Sequence, residues 1–152
     1  MAKANLDKVS AKKHGNIETV VATVALPNGS LVALGDLVTG EREAFHAETP
    51  ANGKELLLVV APETKYDESL DQLDYTTPAG QAVRAYHLTE GDLFQVELSL
   101  FAVAPTKGDI VTGGAAHKYV ANVSGKTTLK VEKLTTFGYD RRPMALLRVL
   151  TV

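Results

Sequence analysis

The chain has no cysteine in its 152 residues. That excludes a disulfide framework, a thiolate metal site and a thiol nucleophile. Aromatic residues are scarce, with five tyrosines and four phenylalanines. Single-strand nucleic-acid platforms interleave basic residues with exposed aromatics, and this supply is too thin to suggest one. No apolar run reaches the ~18 residues expected of a membrane-spanning helix. The opening stretch, MAKANLDKVSAKKHGN, has lysines but no apolar segment after them, so it does not read as a secretory signal. Asn28-Gly29-Ser30 and Asn122-Val123-Ser124 match the glycosylation pattern and are read as turn chemistry instead.

What is present is ordinary in amount and uneven in arrangement. Hydrophobic residues make up 45% and charged residues 22%, as in a globular domain. The length suits one domain with a real core. The net charge is −2. Residues 1–35 carry four lysines against Asp7 and Glu18, a surplus of +2. Residues 36–109 carry 14 acids and five bases, or −9, and residues 110–152 carry seven bases and two acids, or +5. An acidic middle between basic ends does not favour nucleic-acid binding by the chain as a whole. It suits docking to a partner with its own charge pattern.

The pattern divides the chain at residue 16. Residues 1–16 are polar, with Lys3, Lys8, Lys12 and Lys13, and read as an arm outside the core. A short helix over Asn5–Lys13 would have only Leu6 and Val9 on its apolar face. From Ile17 the period becomes two, and Val20, Ala22, Val24 and Leu26 share one strand face. Pro27-Asn28-Gly29-Ser30 predicts a turn. Glu55–Ala61 predicts a strand covered on both faces. Residues 63–80 are acidic and predict a long loop. Leu93–Val103 alternates apolar Phe94, Val96, Leu98 and Leu100 with Gln95, Glu97 and Ser99, a strand with one wet face. Asn122–Leu134 and Met144–Val152 supply two more strands.

A short phrase recurs: Gly29-Ser30-Leu31-Val32, Gly35-Asp36-Leu37-Val38, Gly91-Asp92-Leu93-Phe94 and Gly108-Asp109-Ile110-Val111. In each, glycine takes the positive φ of a turn, a small polar residue bonds nearby backbone, and a strand begins. The spacing is irregular, so this is turn grammar rather than a repeat protein. Many short strands joined by such turns predict a mainly β fold: a compact β-barrel or β-sandwich over residues 17–152, with an extended basic N-terminal arm and a long acidic loop.

No constellation built for catalysis stands out. Ser124-Gly125-Lys126-Thr127-Thr128-Leu129 looks like the end of a nucleotide-binding P-loop. The motif needs a glycine where Val120 stands, and a helix after it. Residues 127–132 alternate like a strand, so a hairpin turn is expected. His46 and Glu48 share a strand face by spacing, but two ligands do not make a metal site. Asp67, Asp71 and Asp74 lack the spacing and the glycine of a calcium loop. No nucleophile elbow surrounds any of the five serines. Arg141-Arg142 reads as a hairpin tip. Catalytic, cofactor and metal residues are therefore all expected to be absent.

Five blocks taken in order carry a resemblance: AKANLDKVSAKKHGN, NGSLVALGDLVTGERE, LLLVVAPETKYDE, AGQAVRAYHLTEGDLFQVE and VEKLTTFGYDRRP. Together they resemble the small head proteins of tailed bacteriophages of Gram-positive hosts that decorate or cement the capsid. The resemblance implies a mainly β body on the outside of the major capsid protein shell, with no enzymatic activity and no cofactor. It places the protein on the virion, with the host cytoplasm as its site of assembly, and is compatible with self-contact as a trimer. The arm residues expected to touch the shell are Lys3, Asn5, Lys8, Lys12 and Lys13. A small ligand- or saccharide-binding β-barrel directed at the host surface is the alternative; it requires an exposed aromatic platform. A hydrolase with a cryptic site around His46 and Glu48 is the third.

Overall fold

Leu56, Leu57, Leu58 and Val59 are all buried. A strand can bury every side chain only if both of its faces are covered. The computed structural model shows how this happens. It describes residues 4–9, 17–51, 53–60, 76–121, 125–137 and 141–152. The strands are β1 (Ala4–Lys8), β2 (Ile17–Val21), β3 (Leu26–Pro27), β4 (Leu31–Leu37), β5 (Ala44–Glu48), β6 (Leu56–Val59) and β7 (Thr76–Thr77), followed by β8 (Ala82–His87), β9 (Leu93–Glu97), β10 (Ile110–Gly113), β11 (Tyr119–Ala121), β12 (Thr128–Phe137) and β13 (Arg142–Thr151).

The fold is mainly β and sandwich-like. One layer is a six-stranded sheet in the order β1-β9-β13-β12-β10-β11, antiparallel throughout. The other is a ring in which β2, β5, β4, β6 and β8 pair in turn and β8 pairs back to β2. Only the β2–β5 contact in the ring is parallel. β3 and β7 form a small separate ladder.

Two apolar cores follow from period-two alternation. Val20, Val32, Leu57, Val59, Val83 and Ala85 point into the ring and fill it. Leu31, Ala33, Leu56 and Leu58 point the other way and meet Phe94, Val96, Leu129, Val131, Ala145 and Leu147 of the sheet. β6 is thus a wall shared by both cores, which is why its sequence is a continuous apolar run.

The recurring glycine phrase becomes a structural device in three of its four places. Gly29, Gly91 and Gly108 have φ of 95°, 89° and 92°. Each donates its amide to a valine carbonyl on the strand beside the one that follows: Val59 at 2.7 Å, Val149 at 2.9 Å and Val131 at 2.7 Å. The same valine amides donate back to Ser30, Asp92 and Asp109 carbonyls at 2.9, 2.9 and 2.8 Å. The turn therefore clamps its neighbour before the ladder starts and sets the register of β4, β9 and β10. In two of the three, the aspartate also closes the turn. Thr89 donates its amide (2.9 Å) and hydroxyl (3.1 Å) to the Asp92 carboxylate, and Thr106 does the same to Asp109 at 2.8 and 3.0 Å.

The fourth phrase, Gly35-Asp36, is not a turn. Both residues lie within β4, where the pairing to β5 shifts register between Leu34 and Leu37. A Cβ at Gly35 would stand 2.9 Å from Glu48 Cγ, so glycine is present for close packing at an irregularity.

Other expectations also change. Of the opening segment, the described residues 4–9 are neither helical nor wholly outside the core. β1 pairs antiparallel with β9, and Ala4 and Val9 are buried in the larger core. A strand docking on an open sheet edge gains backbone hydrogen bonds and needs no broad apolar face of its own. The strand expected over Leu93–Val103 ends at Glu97, and a 3₁₀ turn spans Leu98–Leu100. β2 ends at Val21, leaving Val24 exposed although it keeps the alternation. The acidic stretch 61–75 lies outside the described residues, while Thr76–Thr77 pairs with Leu26–Pro27 as β7. Residues 128–137 form β12 where a P-loop requires a helix. Arg142 opens β13 in the β12–β13 hairpin, as the hairpin reading requires.

Candidate functional site

An apolar concavity lies beyond β11, at an edge of the six-stranded sheet. The 3₁₀ turn at Leu98–Leu100 lifts the chain off β9 and sends it across to that edge. There Phe101 makes a single parallel bridge to Tyr119, and the Ala102 amide donates to the Tyr119 carbonyl at 2.9 Å. The segment after Ala102 then stands away from β10 and β11. A groove of ≈ 380 Å³ lies between them, lined almost entirely by apolar residues, with Asp109 the one charged member. Val103 on its rim is 80% exposed and Ile110 is 45% exposed.

The floor of the groove is rigid. Tyr119 is fully buried and stacks on Phe101 with ring centroids 5.0 Å apart. Its hydroxyl donates to the Gly29 carbonyl at 2.7 Å, so the groove is tied to the first of the clamping turns. Burial pushes the Tyr119 phenol well above its ordinary pKa, so it stays a neutral donor. The groove thus leaves apolar surface, with a valine and an isoleucine at its lip, open to solvent.

Among the described residues, a polar cluster with perturbed titration lies at the end of β8. His87, the last residue of β8, is held between two carboxylates. Its Nδ1 lies 3.2 Å from Glu55 Oε1 and its Nε2 lies 3.2 Å from Glu18 Oε1. Burial alone would lower its pKa, but the hydrogen bonds and charges of Glu55 and Glu18 outweigh it, and the pKa is raised. Both ring nitrogens face acids on opposite sides, so no single ion can take the imidazole and both carboxylates together. The cluster ties β2, β8 and the approach to β6 together. Sequence spacing could not have revealed it, because its three members come from residues 18, 55 and 87.

The expected histidine–carboxylate pair fares differently. His46 is exposed on β5, and Glu48 is paired with Lys54 instead. Among the described residues, no group of three His, Asp or Glu is placed to hold a metal ion. His117 is a core residue whose Nδ1 meets the Leu31 carbonyl at 2.9 Å. The tyrosines Tyr86 and Tyr119 are both buried, so neither offers a ring face to a sugar. Of the arm residues, Asn5 and Lys8 lie on β1 opposite Gln95 and Leu93. Lys3, Lys12 and Lys13 lie outside the described residues.

No family model matches the chain, and neither a curated protein nor a solved structure matches it.

Proposed function

We propose that this protein is a non-enzymatic capsid decoration, or cement, protein. It binds the outer surface of a phage shell built from the major capsid protein and stabilises that shell. The observation that carries this reading is the apolar groove beside β11, with Val103 and Ile110 exposed at its lip. Leaving such a surface in water is unfavourable by about 25 cal/mol for each Å² of apolar area, and a partner surface relieves this. A rigid, doubly layered β body that presents a preformed groove loses little conformational entropy on docking. The resemblance to phage head proteins, which covers most of the chain, supports the major capsid protein as the partner, and many copies on one lattice strengthen weak single contacts.

The test is co-sedimentation of the purified protein with capsids from its own source, with and without it bound, followed by capsid melting. Saturable binding and a higher capsid melting temperature are expected. A protein that stays in the supernatant at every concentration would refute the proposal.

A further inference from the structure

The six-stranded sheet has a second face, turned away from the ring, whose charges are not balanced. Ile110, Lys130, Arg148 and Leu93 are successive register partners across β10, β12, β13 and β9. They form one row across the sheet. Their sequence neighbours Val111, Leu129, Leu147 and Phe94 point into the core, which fixes this row on the outside. Lys133 and Leu146 pair in the next row. Lys130 and Arg148 are thus like charges directly opposite each other, an arrangement that destabilises a bare sheet.

The nearby acids answer the arginines and not the lysines. Glu132 Oε1 is 3.5 Å from Arg148 Nε, and Glu97 Oε2 is 3.6 Å from Arg142 Nη1. Each acid is already beside an arginine. Lys130 and Lys133 have no acidic partner among the described residues, in a chain whose net charge is −2. The row holds no aromatic ring, so a stacked single strand of nucleic acid has nothing to rest on. Exposed Ile110 and half-buried Leu93 stand at the two ends of the row, on either side of the cations, and half-buried Leu146 faces Lys133 in the next row. Apolar contact beside complementary charge is found in protein–protein interfaces.

We infer that this outer sheet face docks an acidic protein surface, with Lys130 and Lys133 meeting its carboxylates beside apolar contacts at Ile110, Leu93 and Leu146. It is a second contact, which adjoins the groove at Ile110, and does not depend on the partner being a phage shell.

The test uses the full chain and fluorescent poly-L-glutamate, with anisotropy read at low and at physiological salt. Wild-type protein binds, and binding weakens as salt rises. K130E/K133E binds about tenfold more weakly, in line with two surface ion pairs reversed rather than merely removed. K130Q/K133Q falls between. Melting curves by circular dichroism confirm that both variants are folded. Equal binding by all three proteins would overturn the inference. So would duplex DNA bound at physiological salt more tightly than polyglutamate through the same lysines, because that outcome assigns the face to nucleic acid. Since no capsid enters the experiment, its failure leaves the shell-binding reading intact, and failure to bind shells leaves this face intact.

Discussion

Leu57 and Leu58 are adjacent on β6 and belong to different cores. Leu57 packs inside the ring and Leu58 packs between the ring and the six-stranded sheet, and both are at most 1% exposed. The pair makes one short strand a structural party wall. Neither layer can lose β6 and keep its own interior.

Replacement of either leucine should therefore be felt throughout the molecule. Leu57→Ala and Leu58→Ala are each expected to cost about 2–5 kcal/mol, the range for a buried leucine that leaves a cavity. Urea unfolding followed by far-UV circular dichroism and by tyrosine fluorescence should give coincident transitions in both variants, because the cores share a wall. Separate transitions for the two probes would show that the ring and the sheet unfold independently, and would contradict the shared-wall account.

The clamping turns allow a comparison at nearly constant backbone geometry. Gly29 and Gly108 have φ of 95° and 92°. A Cβ on Gly108 meets nothing within 4 Å, whereas one on Gly29 would stand 2.7 Å from Leu100 Cδ1 and 3.1 Å from Val96 Cγ1. Gly108→Ala should cost only the left-handed strain, about 1–2 kcal/mol. Gly29→Ala should cost that and a further 1–3 kcal/mol or so of overpacking, because Leu100 and Val96 are themselves buried. Thermal or urea denaturation of the two variants side by side decides it. Equal losses would mean that Leu100 moves aside freely.

His87 gives a pH signature. Its pKa is raised above the ordinary 6.5 by Glu55 and Glu18 against the opposing effect of burial. A raised folded pKa means that the protonated bridge stabilises fully below the unfolded pKa. That contribution is lost as pH climbs through the folded value. The melting temperature of wild-type protein should exceed that of His87→Gln by the most near about pH 5.5, where the histidine is charged and ordinary carboxylates are ionised. The gap should shrink steadily above about pH 6.5 as the proton leaves. A gap that widens with rising pH would reverse the assigned sign.

Much of this architecture was legible in the residues. The alternation expected over Leu93–Val103 holds as a strand to Glu97, the apolar run expected over Glu55–Ala61 forms a strand at Leu56–Val59, and the turn at Asn28-Gly29 appears, each from a local cause. Gly35 was misread because a glycine before an aspartate looks the same whether it opens a turn or relieves a clash with Glu48. β1 was misread because its support comes from the edge of β9, ninety residues away, and a borrowed edge leaves no periodic trace. The groove and the His87 bridge were invisible for the same reason. Phe101 meets Tyr119, and Glu18 meets Glu55 through His87, only after the layers have packed. Turn chemistry and burial are written locally, whereas contacts between layers are not.

Val103 offers the sharpest separation of docking from stability. It is 80% exposed on the groove rim and supports no core contact, so a change there should alter the protein's own stability by no more than about 0.5 kcal/mol. If the groove grips a shell subunit through apolar contact, Val103→Lys and Val103→Asp should both reduce capsid occupancy, since each puts a hydrated charge into an apolar interface. A reduction of about tenfold or more in affinity is expected for either sign of charge. Occupancy measured by co-sedimentation across a concentration series, beside the melting temperature of the free protein, checks both halves. Loss with only one sign would assign the rim to electrostatic steering. Unchanged occupancy with both would remove the groove from the docking surface, because a buried apolar contact cannot accept an uncompensated charge of either sign without weakening.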